Sequence, residues 1–501
     1  MTEHIHSQRI LRNTLYGLST WIFPLFLGLI VTRVVVRSLG NVDYGIYALV
    51  LGFIAYSFNF SIGRAITKYL ASYRAAGDTE RIGTVISATA FLTVTVAAIG
   101  IVVIMSLSEW MVRDVFGIDP GEQLKTITAF RISAGTIFVL MLTQIPSAIL
   151  HGLHRFDIFS RIQNANSIIM MLGNLWLAYN GYGLVALLYW NLAAAVVTCT
   201  YAFVSARRVF PEMRFTFRFD REVVGLVIKY SAGVVGYQLV ANAFFLFERS
   251  WIIAKLGAEA LTFYVIPMTI GIYLHGFVSS LSLVLFPLAS QFENDRERLI
   301  RLYRTATKSL LFIVVIIASS LIAEGKLFLT LWMGPEFGER SYILLVLLTI
   351  AFGMAALNIV SFQTAEGLGH PGFNFRNASI GVVLALPVIL GLTDDFGSAA
   401  VAVGRMLVFL VPFLAILNLE RRFLGGIQSS FWLGNLLRFG AAAIAAVLVE
   451  RVVISSLGMN WITFLLATFT GCVVYVAALW SLGAASADDR VLVRRLIQRE
   501  A

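Results

Sequence analysis

The feature that most constrains this chain is a series of long apolar stretches, each long enough to cross a bilayer as a helix. A helix needs about 20 apolar residues to span about 30 Å of hydrocarbon. Fourteen such stretches lie near residues 15–36, 44–69, 83–107, 127–151, 158–179, 183–205, 229–252, 262–287, 307–330, 342–364, 377–393, 398–419, 433–456 and 461–482. The mean hydropathy of +0.83 is too high for a protein folded in water. We therefore expect an all-α integral membrane protein with fourteen transmembrane helices.

The basic residues predict the orientation of these helices. Cytoplasmic loops carry an excess of Lys and Arg. With both termini in the cytoplasm, most of the 38 basic residues fall on the inner side. The outer loops then hold only Arg37, Arg113, Lys125, Lys255, Lys326, Arg340 and Arg451. The net charge of +10 thus reflects this bias and attraction to anionic lipids, and we expect no nucleic-acid partner.

An internal repeat divides the chain. The stretch "RSLGNVDYGIYALV" at 37–50 returns as "AKLGAEALTFYVIP" at 254–267, which aligns Gly40 with Gly257 and Tyr47 with Tyr264. We predict that the two glycines supply the same tight turn in each half. The spans divide into an N-lobe (1–205), a basic cytoplasmic linker (206–228), a C-lobe (229–425), and two extra helices with a basic tail (426–501).

Two lobes of six spans start on the same side, so an axis along the membrane normal should relate them. Parallel repeats of this kind are typical of transporters that work by alternating access around a shared cavity. A duplication that merely enlarges a helix bundle is the alternative interpretation.

Polar residues recur at helical spacing within three spans and should avoid lipid. They are Ser57, Ser61, Arg64 and Lys68; Ser160, Asn164, Ser167 and Asn174; and Ser231, Gln238, Asn242 and Arg249. Five basic residues also fall inside spans: Arg33, Arg64, Arg131, Arg249 and Arg405. Such residues normally face water or a partner, so we predict a cationic cavity for an anion such as phosphate. Each of the five also lies near the end of its span. The alternative is therefore that each side chain extends to the lipid headgroups instead, and this applies most readily to Arg405.

Acidic residues inside the spans are identified as Glu248 and Glu366. Either is a candidate for binding a coupling ion, a proton or sodium, and an ion pair with Arg249 is the simpler interpretation for Glu248. His151 and His154 lie three residues apart at a helix end without further ligands, so we predict no metal site and no cofactor. No nucleotide-binding or catalytic motif is present, so we predict that the protein is not an enzyme.

The opening sequence resembles a known family. "RNTLYGLSTWIFPLFLGLIVTRVVVRSLGNVDYGIYALV", followed by "FNFSIGRAITKYLASYRAAGD", is similar to the start of bacterial polysaccharide flippases of the Wzx type. These belong to the multidrug/oligosaccharidyl-lipid/polysaccharide exporter superfamily. The matching positions are Arg37, Leu39, Gly40, Tyr44, Gly45, Tyr47, Asn59, Gly63 and Lys68. Asn59 stands where the family often has an acid, which weakens a cation site there.

The resemblance implies a flippase that moves undecaprenyl-pyrophosphate-linked oligosaccharide from the cytoplasmic to the periplasmic leaflet of the bacterial inner membrane. It implies headgroup contacts at Arg33, Arg64, Lys68 and Arg249, with Gln238 and Asn242 for sugar hydroxyls. We expect a monomer, with a polysaccharide polymerase or glycosyltransferase as partner. A peptidoglycan-precursor or multidrug exporter of the same superfamily is the alternative, and a membrane oligosaccharide polymerase or ligase is a more distant one.

Overall fold

The chain folds into helices. A computed structural model describes residues 2–57, 63–75, 77–211, 221–282 and 285–484. The α-helices are α1 (Thr2–Tyr56), α2 (Arg64–Ala75), α3 (Thr79–Trp110), α4 (Pro120–Gly152), α5 (Phe156–Tyr179), α6 (Leu184–Val209), α7 (Arg221–Leu281), α8 (Leu285–Gln291), α9 (Arg296–Met333), α10 (Pro335–Arg340), α11 (Tyr342–Gly367), α12 (Pro371–Phe396), α13 (Ser398–Phe423), α14 (Ser429–Leu457) and α15 (Trp461–Ser481). A π-helical segment, Met111–Val115, follows α3. The all-α expectation is confirmed.

Among the described residues, 11 helices are long and apolar enough to cross a membrane. The difference from fourteen has two reasons. The segments Pro24–Tyr56 and Gln238–Leu281 each count once, although each contains residues from two predicted spans. The predicted span 158–179, now α5, is not among the 11. The protein is a multi-pass membrane protein, and the count of fourteen stays a prediction.

Glycines interrupt the two longest helices. Gly40 within α1 has φ 77° and ψ 169°, and Gly257 within α7 has φ 87° and ψ 170°. Any residue with a Cβ is strained at these backbone angles, so glycine is essentially the only residue that adopts them. Both glycines therefore carry the same non-helical break, as the repeat predicts, while the tight turn that they were predicted to supply stays a prediction.

Further repeated features follow each break. Asp78 caps α3 by accepting the Arg81 amide, and Asp295 caps α9 by accepting the Arg298 amide, both at 3.1 Å. Such caps satisfy backbone donors that a helix start leaves free. The spacing of the caps equals that of the glycine breaks, so the internal repeat extends to the local structure.

The predicted spans 44–69 and 262–287 are not continuous helices in the described chain. Helix α1 ends at Tyr56 and α2 begins at Arg64, while residues 58–62 lie outside the described residues. Likewise α7 ends at Leu281 and α8 begins at Leu285, with 283–284 outside. Hydropathy alone did not locate these helix ends, because the predicted spans 44–69 and 262–287 are apolar when each is averaged over its whole length.

The chain forms two compact units. The first contains residues 1–265 and 392–401, and the second contains 266–391 and 402–501. The predicted lobe boundaries at 205, 229 and 425 stay a prediction. In the first unit, one apolar cluster joins α2, α3, α4, α5 and α6 through residues such as Leu70, Ile86 and Ile149.

In the second unit, α14 and α15 pack on α9 and α13. Their shared core includes Leu311, Ile416, Trp432 and Tyr475. The opposite face of α14 exposes Leu433, Leu437, Ile444, Leu448 and Val452, each more than 60% exposed. Their spacing places them on one side of the helix, as expected for a surface that contacts lipid.

Candidate functional site

The repeated corner is anchored by two buried tyrosines. Asn174 and Asn191 donate to the Tyr47 hydroxyl at 3.4 and 3.0 Å. Tyr264, the repeat counterpart of Tyr47, donates to Glu248 Oε1 at 3.1 Å. Buried hydroxyls need such partners, so both tyrosines of the motif have a structural role. Asn174 of the predicted polar stripe thus serves helix packing.

Within the first unit, the two glycine corners contact each other. A Cβ on Gly45 would lie 1.8 Å from the Ala258 carbonyl oxygen. Reciprocally, Thr262 Oγ1 donates to the Asn41 carbonyl at 2.5 Å, and Asn41 Nδ2 donates to Glu259 Oε1 at 3.5 Å. The repeat aligns Gly45 with Thr262 and Asn41 with Ala258, so the two contacts are equivalent halves of one pairing. This pairing fixes the register of α1 against α7.

About two helical turns from this pairing, α1 encloses the side chain of Arg249. Arg249 is 6% exposed. Gly52 leaves room for it, because a Cβ there would lie 2.5 Å from Arg249 Cδ. The guanidinium carbon lies 5.3 Å from the ring centre of Tyr56, which stacks on Phe245 with ring centres 4.6 Å apart. The side chain is therefore held between a glycine and an aromatic face.

Two nitrogens of Arg249 stay unsatisfied. Nε and Nη1 are buried and have no hydrogen-bond partner among the described residues. A cation over an aromatic ring contributes about 0.5–2 kcal/mol. That stabilisation does not replace hydrogen bonds, because each unpaired buried donor costs about 1–3 kcal/mol. The arrangement suits an acceptor with negative charge, and planar guanidinium donors match phosphate or carboxylate oxygens.

Other predicted site residues share this unit. Gln238 and Asn242 lie on the same face of α7 as Arg249, and both are half-buried. Seven residues of α-helix separate Asn242 from Arg249, a rise of roughly 10 Å. Arg33, on α1 before the glycine break, is also half-buried. The structure therefore places three of the candidates along one helix face, while their roles stay a prediction.

Glu248 is fully buried and accepts a hydrogen bond from the Tyr264 hydroxyl at 3.1 Å. The simpler interpretation, an ion pair with Arg249, stays a prediction. Adjacent residues on a helix point about 100° apart, so the two side chains face different surroundings. Glu366 is half-buried in the last turn of α11. Both stay candidates for ion binding.

The stripe predicted from Ser57 to Lys68 does not follow one continuous described helix. Ser57 follows the end of α1 and donates to the Phe53 carbonyl at 2.6 Å, and Ser61 lies outside the described residues. Arg64 and Lys68 belong to α2, but their side chains lie outside the described part of the structure. Their headgroup role stays a prediction.

Two further intramembrane arginines have different environments. Arg131 is exposed and pairs with Glu109 at 2.8 Å. Arg405 is 1% exposed, and its guanidinium lies 5.9 and 5.5 Å from the ring centres of Phe352 and Phe409. The interpretation that Arg405 reaches the headgroup layer is wrong, because its aromatic neighbours enclose it.

Two buried acids were missed at the level of the sequence. Glu324 in α9 is 2% exposed and Glu450 in α14 is 0% exposed. Both fall inside predicted spans, 307–330 and 433–456, so the statement that only Glu248 and Glu366 lie within spans is wrong. The signal that identifies Glu324 and Glu450 is a carboxylate within an otherwise apolar span.

Comparisons with known proteins bear on these observations. The sequence pattern of a family described as "Polysaccharide biosynthesis protein" matches residues 34–341. A Shigella flexneri protein named "Putative O-antigen transporter" is 23% identical over 409 residues, which cover 79% of this chain and 94% of the relative. The lipid II flippase MurJ, in an inward closed conformation, superposes with a TM-score of 0.69 at 14% identity, covering 98% of this chain and 99% of that chain. A mutant of the Vibrio cholerae MATE transporter VcmN gives a TM-score of 0.62 at 11% identity, covering 83% of this chain and 96% of that chain. At these identities the structural likeness shows a shared fold.

Proposed function

Because this chain belongs to the polysaccharide biosynthesis protein family, we propose that it is a flippase for undecaprenyl-pyrophosphate-linked oligosaccharide. It carries this lipid from the cytoplasmic to the periplasmic leaflet of the bacterial inner membrane by alternating access, and it breaks no covalent bond. The name of the Shigella flexneri relative supports a transported substrate that is used in polysaccharide assembly. The observation that carries the proposal is the buried guanidinium of Arg249, with two unsatisfied nitrogens.

A pyrophosphate headgroup fits that guanidinium chemically. Moving an Arg side chain to the centre of a bilayer costs about 2.5–3.5 kcal/mol on insertion scales. Phosphate oxygens accept hydrogen bonds from guanidinium in a planar, two-pronged geometry and neutralise its charge. A ligand with this chemistry would supply acceptors to the two Arg249 nitrogens that have no hydrogen-bond partner among the described residues.

The remaining candidates receive roles that follow the same chemistry. Arg33, Arg64 and Lys68 supply further positive charge for the headgroup. Gln238 and Asn242 offer amides to sugar hydroxyls, about two to three helical turns from Arg249. Glu248 and Glu366 are the candidates for a coupling proton or sodium ion, and a polymerase or glycosyltransferase is the expected partner.

The direction of transport has a physical driving force. An interior-negative membrane potential favours movement of an anionic headgroup from the cytoplasmic to the periplasmic leaflet. The free energy falls by about 2.3 kcal/mol per charge per 100 mV. Sugars and pyrophosphate cannot enter hydrocarbon without losing hydration worth several kcal/mol. A polar path lined by Arg and amide side chains removes that barrier, so the potential can drive net export.

A depletion experiment tests the proposal in cells. When the protein is depleted, lipid-linked oligosaccharide should accumulate on the cytoplasmic face, as measured by its inaccessibility to a periplasmic glycan-modifying enzyme. Arg249→Gln should fail to restore export. We expect a loss of about tenfold or more, because hydrogen bonds to charged groups contribute about 1.5–3 kcal/mol. Arg131→Gln is the matched control and should restore export, since Arg131 is exposed and paired with Glu109.

The alternatives predict different results in the same cells. Accumulation of peptidoglycan precursor on the cytoplasmic face would favour a precursor flippase. Increased drug sensitivity with normal glycan export would favour a multidrug exporter. Unpolymerised glycan on the periplasmic face would contradict transport and favour a polymerase.

A further inference from the structure

A buried carboxyl pair that the proposed transport site does not use lies where α9 packs against the two helices outside the repeat, α14 and α15. Glu324 lies in α9 and Glu450 in α14, at 2% and 0% exposure. Helix α15 packs against both helices and contains no charged residue. All three helices are apolar enough to cross the membrane. Two acids are therefore buried together in the second unit within membrane-spanning segments.

Hydroxyl groups hold one oxygen of each acid. Thr468 Oγ1 donates to Glu324 Oε2 at 2.6 Å, and Ser320 Oγ donates to Glu450 Oε1 at 2.8 Å. A Cβ at position 471 would lie 2.0 Å from Glu450 Oε1, so Gly471 makes space for that carboxyl group. Ser320, which binds the Glu450 carboxyl group, is one turn from Glu324 on α9. The two carboxyl groups therefore contact α9 about one helical turn apart.

The other oxygens have no donor. Glu324 Oε1 and Glu450 Oε2 are buried without a hydrogen-bond partner among the described residues. The nearby titratable groups do not supply one. Lys326 pairs with a glutamate of α10, and exposed Arg451 donates to the Tyr342 hydroxyl. The Cys472 thiol lies within electrostatic range of both acids.

We propose that Glu324 and Glu450 form a proton-binding site at the α9–α14–α15 junction, in which the pair holds at least one proton in the membrane. Two ionised carboxylates would repel each other, and no cation among the described residues hydrogen-bonds to either one; the charge of exposed Arg451 acts on Glu450 only at a distance. Uptake of one proton from water converts one carboxylate to a carboxylic acid, which removes one negative charge. A neutral carboxylic acid also costs less to bury than an ionised carboxylate with an unpaired oxygen. The site does not depend on the proposed transport function.

Glu420 provides an internal comparison in the same unit. It is also 0% exposed, but it accepts hydrogen bonds from Tyr303 Oη at 3.0 Å, Trp432 Nε1 at 2.6 Å and the Gln428 amide at 2.8 Å. Neighbouring groups thus supply three hydrogen-bond donors to Glu420, whereas one oxygen of each acid in the proposed pair has none among the described residues. Burial alone is therefore not what distinguishes the proposed pair.

Modification with dicyclohexylcarbodiimide tests the site, because this apolar reagent reacts with protonated carboxyl groups. An apolar groove of about 510 Å³ on α15, lined by Phe469, Cys472 and Trp480, offers an approach from the lipid side. Full-length protein in lipid nanodiscs is treated in buffers of increasing pH, and the modified peptides are quantified by mass spectrometry. We expect labelling at Glu324 or Glu450 that falls about tenfold per pH unit once the proton is released, and no labelling at Glu420.

Two results would overturn the proton site. Labelling of the pair no greater than that of Glu420 would show that both groups are ionised. Suppression of labelling by sodium at constant pH would assign the site to that ion instead.

Glutamine variants supply a second readout. A fold that holds a proton which its unfolded chain releases loses stability as the pH rises. The melting temperature of the wild type should therefore fall with rising pH, and Glu324→Gln with Glu450→Gln should remove that dependence, since glutamine mimics the neutral acid. Glu420→Gln should leave it in place. A pH dependence that persists in the double variant contradicts the proposal.

Discussion

Replacing Gly52 with alanine should displace the Arg249 side chain without removing any polar group. A Cβ at position 52 would lie 2.5 Å from Cδ and 2.8 Å from Nε of Arg249. Carbon atoms are in favourable contact at about 3.5–4.0 Å, so the side chain or the helix must move by roughly 1 Å. Tyr56 faces the same guanidinium, and the expected movement separates it from that ring.

The magnitude follows from two opposing effects. Overpacking of this kind costs about 1–3 kcal/mol, whereas alanine in place of glycine within a helix contributes about 0.5–1 kcal/mol. We therefore expect Gly52→Ala to lower the free energy of unfolding by about 1–2 kcal/mol. Gly135→Ala is the matched control in the same unit, because its Cβ would lie 3.7 Å from Leu192, an ordinary contact. It should be neutral or stabilising.

Thermal unfolding in nanodiscs and glycan export in a depletion strain measure the two consequences. In an Arg249→Ala background the clash partner is gone, so Gly52→Ala should no longer destabilise the protein, while export stays lost. This non-additivity is the signature of direct contact. If Gly52→Ala costs the same stability in both backgrounds, the clash does not involve Arg249 and the expected contact is refuted.

Three further predictions concern the residues that build and surround the site. Tyr47→Phe removes the acceptor of the Asn174 and Asn191 amides, so thermal denaturation should show a loss of about 1–3 kcal/mol; an unchanged melting temperature would contradict the network. Gly257→Ala places a side chain at φ 87° and should cost about 1–3 kcal/mol; a variant as stable as the wild type would show that the break tolerates alanine. Arg131→Gln should change stability by no more than about 1 kcal/mol, because its ion pair is exposed; a larger loss by the same measurement would indicate a role beyond that pair.

The repeated local features of the fold could be predicted from the sequence. Gly40 and Gly257 are recognisable because few other residues tolerate their backbone angles, and the alignment of Tyr47 with Tyr264 marks two buried hydroxyls. The ends of helices were harder to predict. Hydropathy does not distinguish one long apolar helix from two short ones, so the ends at Tyr56 and Leu281 were missed.

The candidate site could be predicted only in part. Spacing identified Arg249, Gln238 and Asn242 as one helix face, but it carries no information about the helix that packs against that face. Gly52 and Tyr56 were therefore not recognised as the residues that enclose Arg249.

The most direct measurement is the flipping of a fluorescent undecaprenyl-pyrophosphate oligosaccharide by purified protein in liposomes, followed by chemical quenching of the outer leaflet. We expect transfer between leaflets by the wild type and by Arg131→Gln, and little transfer by Arg249→Gln. Equal transfer by Arg249→Gln and the wild type would contradict the claim that this buried guanidinium binds the headgroup.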